Sequence, residues 1–197
     1  MIQLYHIHGI ETRIWSSPLD APICEDPKRD ALVLETRKKE WDAVAQCLPP
    51  HLCMADIIKD PNGKPYLKNG KHISISHSGA FAAVAVSEKV VGIDIQIPRS
   101  TVFRVRQKFC HPAELSFIKD DPMDERFMML WCAKEAIFKM YGSGIDFAQD
   151  LCSQSFETGD SNIIIHQQSP HHKNDFIEVH FLKNPHYFVA IAQIQKK

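Results

Sequence analysis

Two hydrophobic periods alternate along the chain. Residues 1–7 place Ile2 and Leu4 in alternation, with Ile7 out of step, and predict a first strand. Residues 9–27 are rich in Pro, Ser and Asp and predict a long loop. Asp26-Pro27 then signals a helix start, with Asp as cap and Pro in the first turn. Leu34, Trp41, Ala45 and Leu48 recur at spacings of 7, 4 and 3, which puts them on one helical face that Pro49-Pro50 ends. Pro61-Asn62-Gly63-Lys64-Pro65 is turn chemistry. Next come a strand with Ile73 and Ile75 on one face, a tight turn at Ser78-Gly79, and a buried strand over residues 81–86. Residues 90–97 predict another buried strand, stopped by Pro98. Residues 101–109 and 112–119 are predicted helical. The longest helical pattern covers 125–141, with Gly142 and Gly144 as stop signals. Residues 162–166, 175–182 and 187–193 return to strand patterns.

Residues 73–86 also align with residues 179–192 at a constant offset of 106: Ile75 meets Phe181, Phe81 meets Tyr187, and the run from Ala83 to Val86 meets Val189 to Ala192. Both copies spell strand, tight turn, buried strand. Any two hairpins share part of such a match; a genuine repeat implies two similar halves, 1–97 and 98–197, with a ligand cleft between them. The predicted class is α+β, with helices packed on mainly antiparallel sheets.

Composition narrows the function classes. The chain has 197 residues, 44% of them hydrophobic, enough for a sizeable core. Lys+Arg number 23 against 24 Asp+Glu, a net charge of −1, which speaks against a broad charge-driven nucleic-acid or membrane binder. The longest apolar-rich run, residues 79–86, is far short of the roughly 20 residues of a membrane helix. The N-terminus has no basic segment followed by an apolar one, so no signal peptide is expected. Six scattered cysteines without a CxxC pair are expected as reduced thiols in the cytoplasm.

Three clusters carry candidate chemistry. Asp94 is the single charge in Val91-Gly-Ile-Asp-Ile-Gln-Ile97, and alternation puts it on the same face as Gln96. A buried carboxylate is costly unless paired or bound to a cation. It is therefore either a structural Asp with a partner at the strand end or a ligand for a hard cation such as Mg²⁺. In Trp131-Cys-Ala-Lys-Glu-Ala-Ile-Phe-Lys139, Trp131, Lys134, Glu135, Phe138 and Lys139 share a helical stripe. That stripe is either an exposed Glu135–Lys139 pair, worth about 0.2–0.5 kcal/mol, or a carboxylate aimed at a metal and flanked by ammonium groups aimed at phosphate oxygens. Ile75-Ser-His-Ser-Gly79 gathers donors at a turn, a weak signal alone. Arg37, Lys38 and Lys39 form either a solvated helix surface or a phosphate-facing cluster. Cys47, His51 and Cys53 lack zinc spacing, His171-His172 sits in a polar loop, and His6 and His8 are read as structural or surface residues. No GxGxxG after a strand, Walker lysine or GxSxG elbow is present.

As an ordered set, Gly63-Lys64-Pro65, Ile75-Ser-His-Ser-Gly79, Gly92-Ile-Asp-Ile95, Phe109 with Glu114, and Trp131 to Lys139 followed by Tyr141-Gly142 resemble the 4′-phosphopantetheinyl transferases of the longer, two-half type. The resemblance runs from about Asn62 to Phe147. It implies two halves in pseudo-twofold arrangement, each a mainly antiparallel sheet packed with a long helix. It also implies a coenzyme A site in the cleft, and transfer of the phosphopantetheine arm of coenzyme A to a serine of an apo acyl or peptidyl carrier protein. Mg²⁺ is the implied cofactor and 3′,5′-ADP the product. It implies Asp94, Glu135 and, by position, Gln96 as metal ligands, and Glu135 as the base. Lys139 and Lys134 would meet the pyrophosphate, Lys64, Ser76 and His77 the nucleotide part, and Glu114 would orient Lys139 or a water.

Two residues depart from that family pattern. Gln96 stands where an acid is usual, which removes one charge and predicts weaker metal affinity. The first helix lacks the usual arginine between Trp41 and Leu48, leaving Arg37, Lys38 or Lys39 to substitute. A non-catalytic module that binds coenzyme A or a carrier protein is therefore the alternative, and a hydrolase of nucleotide diphosphates a third reading. Two halves in one chain can replace a dimer interface, so a monomer is expected. Fatty acid synthesis and natural-product assembly look alike at this level.

Overall fold

A computed structural model of the chain describes residues 2–16, 29–121, 124–172 and 175–195, with no side-chain description for 16, 29–37, 100 and 101. The described residues form an α+β fold of antiparallel sheets in layers. Strands β1 (Ile2–Ile7), β2 (Ile10–Ser16), β5 (His72–Ser78) and β6 (Phe81–Ser87) make one sheet in the order β1-β2-β6-β5. Strands β7 (Val91–Gln96), β8 (Leu151–Ser153), β9 (Asn162–Gln167), β10 (Asp175–Asn184) and β11 (Tyr187–Ile194) make the second, in the order β7-β11-β10-β9-β8. The short pair β3 (Ile57–Lys59) and β4 (Pro65–Leu67) stands apart.

Period-2 alternation assigns each strand face to a layer. On β6, Ala82, Val84 and Val86 turn toward helix α1 (Arg29–Cys47), while Ala83 and Ala85 turn toward the second sheet. On β11, Val189 and Ile191 meet the first sheet, and Phe188, Ala190 and Ala192 meet helix α3 (Glu125–Tyr141). The order of layers is thus α1, first sheet, second sheet, α3. The short α2 (Arg106–Phe109) continues a 3₁₀ segment, Ser100–Val105.

The two hairpins aligned in the sequence share their register. Ile73 pairs with Val86 and Ser78 with Phe81; at the offset of 106, Val179 pairs with Ala192 and Asn184 with Tyr187. Each hairpin also carries a third strand on its second arm, giving β5-β6-β2 and β10-β11-β7. By hydrogen bonding β7 belongs with the C-terminal strands, although it precedes residue 97.

β7 is an edge strand, and the chain supplies side chains where a neighbouring strand would supply carbonyls. Ser74, Ser76 and Ser78 project from β5 at period 2, and their hydroxyls accept the N–H groups of Ile93, Ile95 and Ile97 at 2.9, 3.1 and 3.1 Å. The alternation Ile-Ser-Ile-Ser-His-Ser therefore does two things: Ile73 and Ile75 pack under α1, and the serines satisfy the free edge of the other sheet.

On the opposite face of β7, the backbone of α3 lies directly on Gly92. A Cβ there would meet the Ala136 carbonyl oxygen at 1.9 Å and Met140 Cβ at 2.9 Å. Gly92→Ala is expected to cost about 1–3 kcal/mol or more, because backbone rather than a flexible side chain must move. It should also lift α3 off β7. Urea denaturation reads the cost, and an unchanged midpoint would refute this account of the contact.

Several sequence expectations need correction. Residues 10–16 are not loop. Ile10, Thr12 and Ile14 are buried in alternation, and the His8-Gly9 turn has φ of 47° and 82°, the sign a two-residue hairpin needs at both positions. The remainder of the predicted loop, residues 17–27, and the Asp26-Pro27 helix start lie outside the described residues, as does the side chain of Leu34. On α1 the buried face is Ala43, Val44, Cys47 and Leu48, while Ala45 is exposed. Trp41 and Leu48 together were compatible with two neighbouring stripes, and packing on β6 chose the one lined by small residues. Over 112–119 only a 3₁₀ turn forms, Glu114–Ser116. Five cysteines among the described residues are free thiols.

Candidate functional site

The site is built where the edge of β7, the stripe of α3 and the serine edge of β5 converge. β7 points Gly92, Asp94 and Gln96 toward α3. Gly92 lets the helix approach, and Asp94 then sits beneath it with 5% of its surface exposed. Asp94 Oδ1 accepts from the Ser76 hydroxyl at 2.8 Å and from Lys139 Nζ at 2.7 Å. Asp94 Oδ2 is buried and has no hydrogen-bond partner. A buried carboxylate oxygen left bare is costly and calls for an explanation.

Glu135 lies one turn before Lys139 on α3. Burial pushes its carboxyl above the usual range, and the neighbouring Asp94 charge pushes in the same direction while Lys139 opposes. Two carboxylates thus share one pocket with one ammonium. Lys139 keeps about a third of its side chain exposed, so it faces both Asp94 and the solvent.

Ser76 does not stand as a free donor. Its hydroxyl gives its hydrogen to Asp94 and accepts from Lys139 Nζ at 2.7 Å and from the Ile95 N–H. That uses the full capacity of one hydroxyl. The expectation of a nucleotide contact at Ser76 thus meets a residue already committed to orienting Asp94 and Lys139. Its neighbour His77 points outward to Glu40 of α1, 3.3 Å away. Glu40 escaped the sequence analysis, since only packing of α1 on this sheet brings it to His77. The pair places the turn carrying Lys38 and Lys39 at the rim of the same region; the side chain of Arg37 lies outside the described residues.

Lys64 reaches the C-terminal end of α3, where its ammonium donates to the Met140 carbonyl, and burial lowers its pKa. Gln96 is half-buried and its amide donates to the Ile97 carbonyl. Beyond the end of β7 a cavity of about 380 Å³ opens among Pro98, Arg99, Met128, Lys183 and Phe188.

Lys134 and Glu114 are placed elsewhere than the sequence analysis expected. Both side chains are 0% exposed and lie 2.6 Å apart. Lys134 Nζ also donates to the carbonyls of Phe147, Leu151 and Phe109 at 2.7, 3.0 and 3.3 Å. Glu114 accepts the backbone N–H groups of His111 and Ser153 at 2.7 and 2.8 Å. In this structure neither group has exposed surface, and Lys134, expected at the pyrophosphate, forms a core ion pair with Glu114. Glu114 orients Lys134 rather than Lys139. The pair ties α3 to the segments around residues 109–114 and 147–153, under an aromatic stack in which Phe109 lies 4.3 Å from Trp131 and 4.7 Å from Phe147.

The donor set around Asp94 suits a hard divalent cation: one bare buried carboxylate oxygen and a second carboxylate beside it. Among the described residues this is where buried acids and an ammonium meet at an edge open to solvent. The model of the 4′-phosphopantetheinyl transferase superfamily matches residues 90–192, which contain Asp94, Glu114, Lys134, Glu135 and Lys139. The chain belongs to this superfamily. It is 33% identical over 96 residues to a 4′-phosphopantetheinyl transferase of Bacillus subtilis, covering 46% of this chain and 43% of that protein. It is 27% identical over 149 residues to the 4′-phosphopantetheinyl transferase psf-1 of Bacillus pumilus, covering 72% and 62%. A putative 4′-phosphopantetheinyl transferase of Haemophilus influenzae is 30% identical over 100 residues, covering 47% and 43%. The chain thus spans about half the length of the curated relatives it matches. Membership puts Asp94 and the Glu135–Lys139 turn inside the matched part of this superfamily member, while Lys64, Ser76 and His77 precede it. No helix among the described residues is long and apolar enough to cross a membrane.

Proposed function

We propose that the protein transfers the 4′-phosphopantetheine arm of coenzyme A to a serine of an apo acyl or peptidyl carrier protein, with Mg²⁺, releasing 3′,5′-ADP. The observation that carries this reading is the bare, buried Asp94 Oδ2 beside Glu135 and Lys139, within the span matched by the superfamily. Asp94 and Glu135 would hold the cation, and Gln96, two residues along β7, is proposed as a neutral third donor through its carbonyl oxygen. Bound there, Mg²⁺ would supply charge neutralisation of the diphosphate.

The chain's own residues account for the remaining requirements. Lys139, held by Ser76 and Asp94 but partly exposed, is positioned to stabilise charge on the pyrophosphate oxygens. Glu135, beside Asp94 and Lys139, is proposed to accept the proton of the incoming serine, directly or through a metal-bound water. The serine oxygen bonds to the β-phosphorus, and the bond from that phosphorus to the bridging oxygen breaks. Lys64 and His77, at opposite ends of the β5 side of the site, are proposed for the nucleotide part. Lys134 and Glu114 act here as positioning residues for α3. The cavity beyond Gln96 offers room for an extended arm, and its charged lining is Arg99, Lys183 and Glu125. The two-half organisation, 1–97 and 98–197, is part of this proposal and is supported by the shared hairpin register.

Intact-protein mass spectrometry of an apo carrier protein, incubated with this protein, coenzyme A and Mg²⁺, tests the reading. The expected result is a gain of one phosphopantetheine mass, dependent on Mg²⁺. No gain across acyl and peptidyl carriers, with coenzyme A still bound, would overturn transfer in favour of a binding module. Release of 3′,5′-ADP without a carrier would point to hydrolysis.

A further inference from the structure

Outside this site, two distant segments bring together a second set of ligating side chains. His8 lies in the turn between β1 and β2, while Glu178 and His180 project from β10 on the face away from α3. One ligating atom from each lies within 4.8 Å of the other two. The rings of His8 and His180 sit with centroids 4.8 Å apart. His180 Nε2 is 3.5 Å from Glu178 Oε1 and 3.3 Å from the Gln193 side-chain amide. Glu178 in turn accepts from the Asn162 side chain at 3.1 Å.

The distances bear on what these groups are for. At 3.5 Å the His180–Glu178 contact is long for a hydrogen bond. It matches the spacing of two ligands on one tetrahedral ion: metal–ligand bonds of about 2.0–2.2 Å put neighbouring donors roughly 3.3–3.5 Å apart. Two neutral imidazoles and one carboxylate form a donor set for a borderline transition ion rather than for Mg²⁺, which takes oxygen and keeps water. Asn162 supplies the outer-shell hydrogen bond that orients a ligating carboxylate.

We infer that His8, Glu178 and His180 form a Zn²⁺-class binding site, with a fourth position left for water, that clamps the β1–β2 turn of the first sheet onto β10 of the second. The site joins residues far apart in the sequence, His8 on one side and Glu178 and His180 on the other. It stands apart from Asp94 and is independent of the transfer reaction.

The test uses the full chain, freed of metal with a chelator and titrated with Zn²⁺ in excess Mg²⁺, so that the Asp94 region is not the Zn²⁺ acceptor. One equivalent is expected to bind and to raise the unfolding temperature. Co²⁺ in place of Zn²⁺ is expected to give the visible d–d bands of a tetrahedral nitrogen–oxygen site, without the near-ultraviolet charge transfer of a thiolate. His8→Asn keeps a residue that tolerates positive φ in the turn, so that variant should fold; Glu178→Gln and His180→Ala complete the set. Each is expected to weaken Zn²⁺ binding by more than the roughly 10–100-fold cost of losing an outer-shell partner. His171→Ala, in a separate loop, is expected to bind like the parent. Carrier modification with Mg²⁺ alone should be unchanged in all four. Unaltered Zn²⁺ affinity in His8→Asn and Glu178→Gln, thiolate charge transfer with Co²⁺, or no binding by the parent would overturn the site.

Discussion

Lys134→Met is expected to lower the free energy of unfolding by about 3–5 kcal/mol, the cost of stripping one partner from a buried ion pair. Methionine keeps the length and apolar character of the stem. It cannot replace the ammonium that Glu114 Oε2 meets at 2.6 Å and that three carbonyls share. The loss leaves a carboxylate at 0% exposure without a cation. Glu114→Gln added to Lys134→Met removes that charge and still offers an oxygen to the His111 or Ser153 N–H. The double variant should therefore recover a large part of the loss. Urea midpoints at constant slope measure both, and the difference between single and double variants gives the coupling. The competing role, contact with the pyrophosphate of a ligand, makes the opposite forecast: a raised KM at unchanged stability. That result would return Lys134 to the site.

Asp94→Asn is expected to do the reverse, lowering Mg²⁺-dependent transfer by roughly 10²–10³-fold while stability shifts by no more than about 1 kcal/mol. The two variants differ because of what each charge leaves behind. Removing the Asp94 charge frees Lys139, whose side chain is 30% exposed and can be solvated. In place of the bare Oδ2 asparagine sets an equally unpartnered amide NH2, so the buried polar atoms are no better satisfied than before. Asparagine preserves the shape and can still accept from Ser76, so the arrangement of β5, β7 and α3 should persist. Transfer at the parent's rate would exclude Asp94 as a cation ligand. A large loss of stability would show instead that its pairing with Lys139 is structural.

Much of the architecture was legible because its signals are local. Alternation in β5, β6, β7 and β11 marks strands whose two faces meet different layers, and that property belongs to the sequence of each strand. The match at an offset of 106 extended to the register, since hairpin register follows from turn length and from which residues alternate inward. Asp94 stood out for a similar reason: a charge in a β-branched run needs a partner wherever the strand packs.

Other features depended on contacts between distant segments. Lys134 and Glu135 are adjacent on one helix, about 100° apart, and both are charged. Which of them faces the core was settled by Phe109, Phe147 and the carbonyls of 147 and 151, none of which helical spacing reveals. The β2 strand was hidden inside a Pro- and Ser-rich stretch whose composition outweighed seven residues of alternation. Glu40 beside His77, and His8 beside His180, are meetings of segments far apart in the chain.

The amino-acid sequence by itself determined the strand and helix periods, the paired hairpins, the buried acid in β7 and the ordered residues that place the chain in its superfamily. Only the tertiary structure decided which charges face solvent, which face each other and which stay bare. The reason is physical: periodicity is a property of neighbouring residues, whereas the cost of a buried charge depends on every atom packed around it, and those atoms come from all parts of the chain.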